Sequence, residues 1–147
     1  MSAEEKVAKV IGITRGLIGR PYKYGAKTEE APEFFDCSGF VQYVFKKAGV
    51  ELPRSTIEQA AEGIEVEIEK LKPGDLIFAH GKYGHYDPRF PEGIGHVAIY
   101  IGDGKVIHAA SRRIEEKPIR EEGAVIESSL ADYISGWAPV VVIKRMI

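Results

Sequence analysis

The amino-acid sequence predicts an α+β fold in which helices come first and antiparallel strands follow. Apolar residues recur at helical spacing in two long segments before residue 50. β-branched and apolar runs bounded by turn residues occupy much of the chain after residue 75. Because the two kinds of segment do not alternate, the pattern argues against a parallel sheet built from βαβ units.

Capping residues mark the starts of three predicted helices: Ser2 with Glu5, Asp36, and Ser55 with Glu58. Gly19 and Gly49 end the first two, because glycine readily takes the left-handed conformation found at helix C-termini. Residues 21–35, between these helices, have no clean period and are predicted to form a loop.

Five strands are predicted after the helices. They are the runs 76–79, 96–101, 106–109, 124–126 and 140–143. Residues 128–135 are predicted to form one more helical turn. The stretch from His80 to Gly95 is rich in glycine and aromatic residues and is predicted to be a long loop. Loops of this length inside a compact domain are often functional.

Composition narrows the class of protein. The 147 residues fit a single domain spanning 1–147, and the net charge of −2 argues against nucleic-acid binding. No apolar run approaches the roughly 18–20 residues that span a membrane. No signal peptide is visible at the N-terminus, which leaves the compartment open. We expect a monomer.

The one cysteine, Cys37, lies where the 21–35 loop gives way to the second helix. Free N–H groups and the helix dipole stabilise a thiolate at such a position. The charge of Asp36 opposes this effect, so a strongly lowered thiol pKa would need a cationic partner. Position alone leaves Cys37 as either an inert core thiol or a nucleophile. A nucleophile also needs a base, usually a histidine held by an orienting group.

His96 and His108 lie on the two strands of a predicted hairpin. A two-residue turn would place these histidines on opposite faces. A three-residue loop, 102–104, sets Ala98 opposite His108 and makes the histidines diagonal neighbours on one face. The other face then carries only apolar residues: Val97, Ile99, Ile101 and Ile107. Because that face suits a core, we predict the three-residue loop.

Histidines also permit a different kind of site. A metal centre is an alternative for four residues in or beside the 80–95 segment: His80, His85, Asp87 and His96. Their spacing matches no familiar metal-binding motif. We therefore predict no metal and no cofactor.

Six short motifs follow one another between Gly16 and Ala110: RPYKYG (20–25), FDCSGFVQYV (35–44), LPRS (52–55), LKPGDLIF (71–78), GHVAIYIG (95–102) and IHAA (107–110). In this order they resemble the NlpC family of papain-like cysteine peptidases, which cut bacterial peptidoglycan. The resemblance implies a papain-like fold, with the N-terminal helices packed on a central antiparallel sheet. It also implies acyl transfer through a thioester.

The resemblance implies a role for each matching residue. Cys37 would be the nucleophile and His96 the general base, either taking the thiol proton during attack or resting with it as an ion pair. His108 would orient His96 through its second ring nitrogen. Tyr22 matches a tyrosine near the nucleophile, where its hydroxyl can help to hold the oxyanion together with the Cys37 N–H.

The implied substrate is a peptidoglycan stem peptide or muropeptide, cut between γ-D-glutamate and a diamino acid. Asp36 and Ser38 match positions associated with binding the free amine of such a peptide. Two segments are longer than is usual in the family and could flank the groove: the acidic stretch 27–34 and the 80–95 loop.

Two other functions remain open at this stage. The same triad serves amidases and lipid-directed acyltransferases, and a lipid would suit four residues of the 80–95 segment: Tyr83, Tyr86, Phe90 and Ile94. The fold could also act as a non-catalytic peptide-binding module. The presence of Cys37, His96 and His108 together argues against a pure binding module, which need not retain all three.

Overall fold

The computed structural model describes residues 1–81 and 84–147, with the backbone alone for 112–116 and 119–121. These residues include four α-helices: α1 (Ala3–Gly16), α2 (Cys37–Lys47), α3 (Thr56–Gln59) and α4 (Leu130–Gly136). Short 3₁₀ turns occur at Thr28–Glu30 and Ile68–Lys70. None of the described helices is long and apolar enough to cross a membrane.

The described strands are β1 (Ile64–Glu65), β2 (Leu76–Ala79), β3 (His85–Asp87), β4 (Phe90–Ile94), β5 (His96–Gly102), β6 (Lys105–Glu116), β7 (Ile119–Ser129) and β8 (Val140–Arg145). Six of them form one antiparallel sheet in the order β1-β8-β2-β5-β6-β7. β3 and β4 form a separate hairpin. The predicted α+β arrangement is confirmed.

Local capping chemistry sets where the helices begin. The Ser2 hydroxyl accepts a hydrogen bond from the Glu5 N–H as half of a capping box, as the sequence predicts. Asp36 Oδ1 accepts from the Gly39 N–H at 2.7 Å and so caps α2. Each cap satisfies an N–H that would otherwise lack a partner in the first helical turn. Cys37 is therefore fixed as the first residue of α2.

The sheet is covered on both faces. Apolar side chains of α1 and α2 pack on one face against residues of β2, β5 and β6. A smaller cluster on the other face joins Ile77, Ala98 and Val106 to Tyr133 of α4. Alternation along β5 therefore sends Val97 and Ile99 towards α2, whereas His96 and Ala98 face α4.

The register of the β5–β6 hairpin is the one that pairs the histidines. Ile99 lies opposite Ile107 and Tyr100 opposite Val106. One step further along both strands sets Ala98 against His108, as predicted. His96 and His108 consequently lie on the same face of the sheet.

The predicted three-residue loop is wrong, although the register is right. Gly102 pairs with Lys105, so the turn contains only Asp103 and Gly104. Both residues have positive φ, 53° and 70°, which suits an Asp-Gly turn between twisted strands. A bulge at Ile101 then absorbs one residue and restores the register that a longer loop would have given.

The 80–95 segment also departs from its predicted loop, because it contains the β3–β4 hairpin. Strands are recognised by alternating apolar and polar residues. That alternation is absent here, because β4 contains Pro91 and Gly93 and β3 is exposed. β6 and β7 extend well beyond their predicted bounds, and the short strand β1 was not predicted.

Candidate active site

The start of α2 meets the start of β5, and this contact holds the cysteine. Sγ of Cys37 lies 3.8 Å from the carbonyl oxygen of Gly95, the residue before His96. Sγ also lies 3.5 Å from the hydroxyl oxygen of Thr56. The cysteine is buried, and no hydrogen bond joins Sγ to the His96 ring among the described residues.

The two histidines form a buried pair that begins at His96, the residue after Gly95. Nε2 of His96 lies 2.7 Å from Nδ1 of His108, and the two rings meet nearly edge to face. Nε2 of His108 lies 3.4 Å from Oγ of Ser128 on β7. The structure thus brings His96 and His108 together, as the sequence predicts.

If His96 acts as a base, these contacts allow only one arrangement of protons on the rings of His96 and His108. Nδ1 of His96 must be free of its proton to accept one from a thiol. The proton on Nε2 of His96 then points to Nδ1 of His108, and Nε2–H of His108 points to the Ser128 hydroxyl. In this arrangement His108, which contacts Ser128, occupies Nε2 of His96, and Nδ1 is the ring nitrogen left to accept a proton.

Two aromatic rings from the α4 region cover the histidine pair. Trp137, the C-cap residue of α4, stacks on His96 with ring centroids 3.8 Å apart and planes 12° from parallel. Tyr133 meets His108 edge to face at 5.1 Å and donates its hydroxyl proton to the carbonyl of Ile77. The two rings restrict the orientation of both imidazoles and shield them from water.

The 80–95 segment leaves the sheet in contact with Trp137, one of the two rings that cover the histidine pair. The N–H of Gly81 donates to the carbonyl of Trp137 at 3.0 Å. A side chain at Gly81 would lie 3.3 Å from the Trp137 ring and 3.5 Å from Cβ of His96, at a φ of +67°. Glycine is therefore required where the β3–β4 hairpin departs beside the site.

Burial favours the uncharged forms of all three groups. It raises the pKa of the Cys37 thiol to about 11, because desolvation opposes the thiolate more strongly than the hydrogen bond from Thr56 favours it. Desolvation, with a smaller contribution from His108, lowers the pKa of His96 well below its usual value. Burial lowers the pKa of His108 to about 4.

These directions favour one of the two resting states that the sequence left open. They favour a neutral thiol and neutral imidazoles over a preformed ion pair of Cys37 and His96. The stabilising effect expected from the helix N-terminus is outweighed by burial. The negative charge of Asp36 adds to the increase in thiol pKa.

Arg54 is a cationic group beside the start of α2. Its guanidinium pairs with Oδ2 of Asp36 at 2.8 Å and donates to Oγ of Ser38 at 2.9 Å. It also donates to the carbonyl of Ala26. Asp36 and Ser38 thus have structural partners at the start of α2, and their binding of a substrate amine stays a prediction.

The backbone of Tyr22 is anchored at two points. Its backbone bridges to Phe35 and its N–H donates to the carbonyl of Gly123. This anchors Tyr22 next to the segment that leads into Cys37. The contribution of its hydroxyl to an oxyanion hole stays a prediction.

The alternative metal centre does not assemble. Asp87 pairs with Arg89, His96 with His108, and His80 with Tyr86. Among the residues that the structure describes, no group of three His, Cys, Asp or Glu side chains is arranged to hold a metal ion.

A comparison with protein families adds an independent observation. The model of the NlpC/P60 family matches residues 19–128 of the chain, which include every motif from 20 to 110. The chain belongs to the NlpC/P60 family. The family predicted from the sequence is confirmed, and the match continues beyond Ala110 into β7.

Relatives of this NlpC/P60 domain include two curated Bacillus proteins. It is 40% identical over 106 residues to the gamma-DL-glutamyl hydrolase of Bacillus subtilis, covering 71% of this chain and 24% of that protein. It is 34% identical over 120 residues to the gamma-D-glutamyl-L-lysine dipeptidyl-peptidase of Bacillus cereus, covering 80% of this chain and 33% of that protein. The chain therefore spans only a quarter to a third of these relatives.

Solved structures show the same fold. The peptidoglycan hydrolase RipB of Mycobacterium tuberculosis aligns with a TM-score of 0.71 and 28% identity. The alignment covers 99% of this chain and 66% of RipB. The papain-like NlpC-type architecture predicted from the motifs is thereby confirmed.

Several residues at the site were not singled out from the sequence: Thr56, Ser128, Tyr133 and Trp137. Thr56 directly follows the LPRS motif, which was the available signal. Tyr133 and Trp137 are four residues apart, a spacing that places both on one face of a helix. Arg54 lay within a recognised motif, but its partners could not be inferred.

Removing the ring of Trp137 should slow turnover without unfolding the protein. Trp137→Ala exposes His96 to water and frees its ring to rotate, so kcat should fall about 10- to 100-fold while KM changes little. Trp137→Phe, which keeps an aromatic face, should lose less than about fivefold. Steady-state kinetics on a peptide substrate measures both. A wild-type kcat in a folded Trp137→Ala protein would show that the stacking is incidental.

Acidification should destabilise the fold through the buried histidines. When folding lowers the pKa of a histidine, its neutral form contributes stability in full above the unfolded pKa of about 6.5. That contribution is lost as the pH falls from this value through the folded pKa. For His108, with a folded pKa of about 4, the free energy of unfolding should fall by about 3 kcal/mol between pH 6.5 and pH 4. Urea unfolding at several pH values measures this slope.

His108→Asn is the control for the pH dependence of stability. It removes the titrating group, so its stability should decline less steeply with acid than that of the wild type, whatever its value at neutral pH. Equal slopes for the two proteins would contradict the burial argument.

Proposed function

We propose that this NlpC/P60 domain is a cysteine endopeptidase that cleaves peptidoglycan stem peptides at the bond between γ-D-glutamate and a diamino acid. One observation carries the proposal: the buried His96–His108 pair is joined at 2.7 Å, and the sulfur of the only cysteine contacts Gly95, the residue before His96. The names of both Bacillus relatives specify a γ-glutamyl bond, which supports this choice of bond.

The reaction begins with transfer of the Cys37 proton to Nδ1 of His96 as sulfur attacks the amide carbonyl carbon. The N–H of Cys37, with the Tyr22 hydroxyl, holds the oxyanion of the tetrahedral intermediate. The imidazolium of His96 then donates its proton to the leaving amine, and a thioester remains on Cys37. His108 keeps Nε2 of His96 engaged throughout, so that only Nδ1 exchanges protons.

Hydrolysis of the thioester repeats these roles with water. His96 removes a proton from water as its oxygen attacks the thioester carbonyl. Collapse of the second intermediate expels the Cys37 sulfur, which takes the proton back from His96. The products are a peptide ending in γ-D-glutamate and a free diamino acid amine.

Recognition of the peptide falls to groups at the start of α2. Asp36 and Ser38 are the proposed partners of a free amine on the substrate. Arg54 already holds both side chains, and it fixes the orientation of the Asp36 carboxylate. A cationic amine approaching Asp36 would therefore meet a carboxylate that needs little reorganisation.

The experiment that tests the proposal uses a defined peptide, L-Ala-γ-D-Glu-L-Lys, and mass spectrometry. We expect L-Ala-γ-D-Glu and free lysine. The α-linked isomer L-Ala-α-D-Glu-L-Lys has the same mass and composition, and we expect it to survive. A folded protein that leaves the γ-linked peptide intact, or cuts both isomers equally, would overturn the assignment of the bond.

Nothing in the described part of the β3–β4 hairpin favours the lipid-directed acyltransferase. Ile94 is fully buried in the main core, and the Tyr86 hydroxyl contacts His80. Phe90 packs against the same core, and Tyr83, the remaining residue on which that alternative relied, lies outside the described residues. The peptidase remains the function that the described geometry supports best.

A further inference from the structure

The segment 54–59 contacts three successive residues at the start of the nucleophile helix, namely Asp36, Cys37 and Ser38. Arg54 binds Asp36 and Ser38, as described above. Gln59, fully buried, donates from Nε2 to the carbonyls of Ser38 and Pro53 at 3.0 and 2.8 Å. Between them, the Thr56 hydroxyl lies 3.5 Å from Sγ of Cys37. Thr56 is therefore held against the sulfur from both sides.

The direction of the Thr56 contact follows from the other partner of sulfur. The carbonyl oxygen of Gly95 lies 3.8 Å from Sγ and can only accept, so it offers the thiol proton of Cys37 a partner other than Thr56. Within the described residues, sulfur is the only hydrogen-bond partner of the Thr56 hydroxyl. A hydroxyl that is buried and has one partner directs its proton to that partner. This arrangement allows the Thr56 hydroxyl to donate its proton to Sγ.

We propose that Thr56 is a catalytic residue, whose hydroxyl donates a hydrogen bond to Sγ of Cys37 and stabilises the thiolate that forms when His96 takes the proton. The inference rests on the proposed function, in which this thiolate is the attacking species. A hydrogen bond to an anion is about twice as strong as one to a neutral group. The contact therefore strengthens as the proton leaves and favours the reactive form over the resting thiol.

The electrostatic setting favours such a donor. Burial and the charge of Asp36 both raise the pKa of the thiol, and the hydrogen bond from Thr56 is the largest opposing effect. Arg54 is engaged by Asp36, and the His96 ring makes no hydrogen bond to sulfur among the described residues. Thr56 is thus the side-chain donor already in position when charge develops on sulfur.

The test measures the reactivity of the thiol directly and needs no peptide. Since Cys37 is the only cysteine, iodoacetamide alkylation reports on this site alone. Thr56→Val replaces the hydroxyl with a methyl of similar size. We expect it to raise the apparent thiol pKa by about one unit and to slow alkylation at pH 8 about tenfold. Thr56→Ser, which keeps the hydroxyl, should stay within about twofold of wild type.

Thr14→Val is a matched control, because Thr14 is also buried but its hydroxyl bonds to the carbonyl of Ile11, within α1. It should leave the thiol pKa unchanged. Urea unfolding checks that each variant is folded, and Thr56→Ala replaces Thr56→Val should the latter not fold. A folded hydroxyl-free variant with the wild-type thiol pKa would overturn the proposal.

Peptide cleavage separates this inference from the proposed function. If Thr56→Val shifts the thiol pKa while wild type leaves L-Ala-γ-D-Glu-L-Lys intact, the substrate assignment fails and the role of Thr56 in stabilising the thiolate stands. If wild type cleaves the peptide and Thr56→Val retains both its thiol pKa and its kcat, the role of Thr56 fails and the proposed function stands.

Discussion

Cys37→Ala will abolish cleavage of the γ-D-glutamyl peptide, with a loss of at least about 10³-fold in kcat. The reason is chemical, because without sulfur no thioester can form and His96 has no thiol from which to take a proton. The measurement is product formation from L-Ala-γ-D-Glu-L-Lys followed by mass spectrometry. Cys37→Ser, in which a far less acidic hydroxyl replaces the thiol, should be nearly as inactive.

Loss of activity in these variants has to be separated from loss of fold. The capping contacts at the start of α2 come from Asp36, not from the cysteine side chain, so the helix should persist. We therefore expect urea midpoints close to that of wild type. Cleavage at the wild-type rate by Cys37→Ala would mean that the nucleophile lies elsewhere.

His96→Ala should lower kcat about 10³-fold or more while leaving the thiol as reactive towards iodoacetamide at pH 8 as in wild type. The two readouts differ because burial keeps both groups neutral at rest. The histidine is needed when the proton moves during attack, but it does not hold a preformed thiolate. Parallel measurements of peptide cleavage and alkylation on one preparation test this directly.

The opposite result for His96→Ala is equally informative. If alkylation falls together with cleavage, Cys37 and His96 rest as an ion pair, and burial has less influence on their pKa values than the described contacts indicate. His85→Ala, on the exposed strand β3, is the control and should change neither readout.

Features that depend on neighbouring residues could be predicted from the sequence. The caps at Ser2 and Asp36 follow from side chains that reach an N–H three residues away. The shared face of His96 and His108 follows from the alternation of side chains along β5 and β6. A one-residue shift in register would turn the apolar residues of one strand towards the face that carries the histidine of the other. The turn length was wrong, yet a bulge at Ile101 gave the same register.

Features that depend on distant packing could not be predicted. Thr56 is 19 residues from Cys37, and Trp137 reaches His96 only because α4 folds back over the sheet. The same holds for the thiol pKa. The position of Cys37 at a helix start suggested a stabilised thiolate. Burial between α2, α3 and β5 has the larger effect and raises the thiol pKa. Burial is a property of the whole fold and leaves no local pattern.

The most direct test of the account is labelling with a chloromethyl ketone built on L-Ala-γ-D-Glu, which places an electrophilic carbon next to the expected scissile carbonyl. We predict that it alkylates Cys37 stoichiometrically, as located by peptide mapping, and abolishes peptide cleavage in proportion. The α-linked analogue should react far more slowly. Persistent cleavage by fully labelled protein, or equal labelling by both analogues, would contradict a Cys37 nucleophile that serves a γ-D-glutamyl substrate.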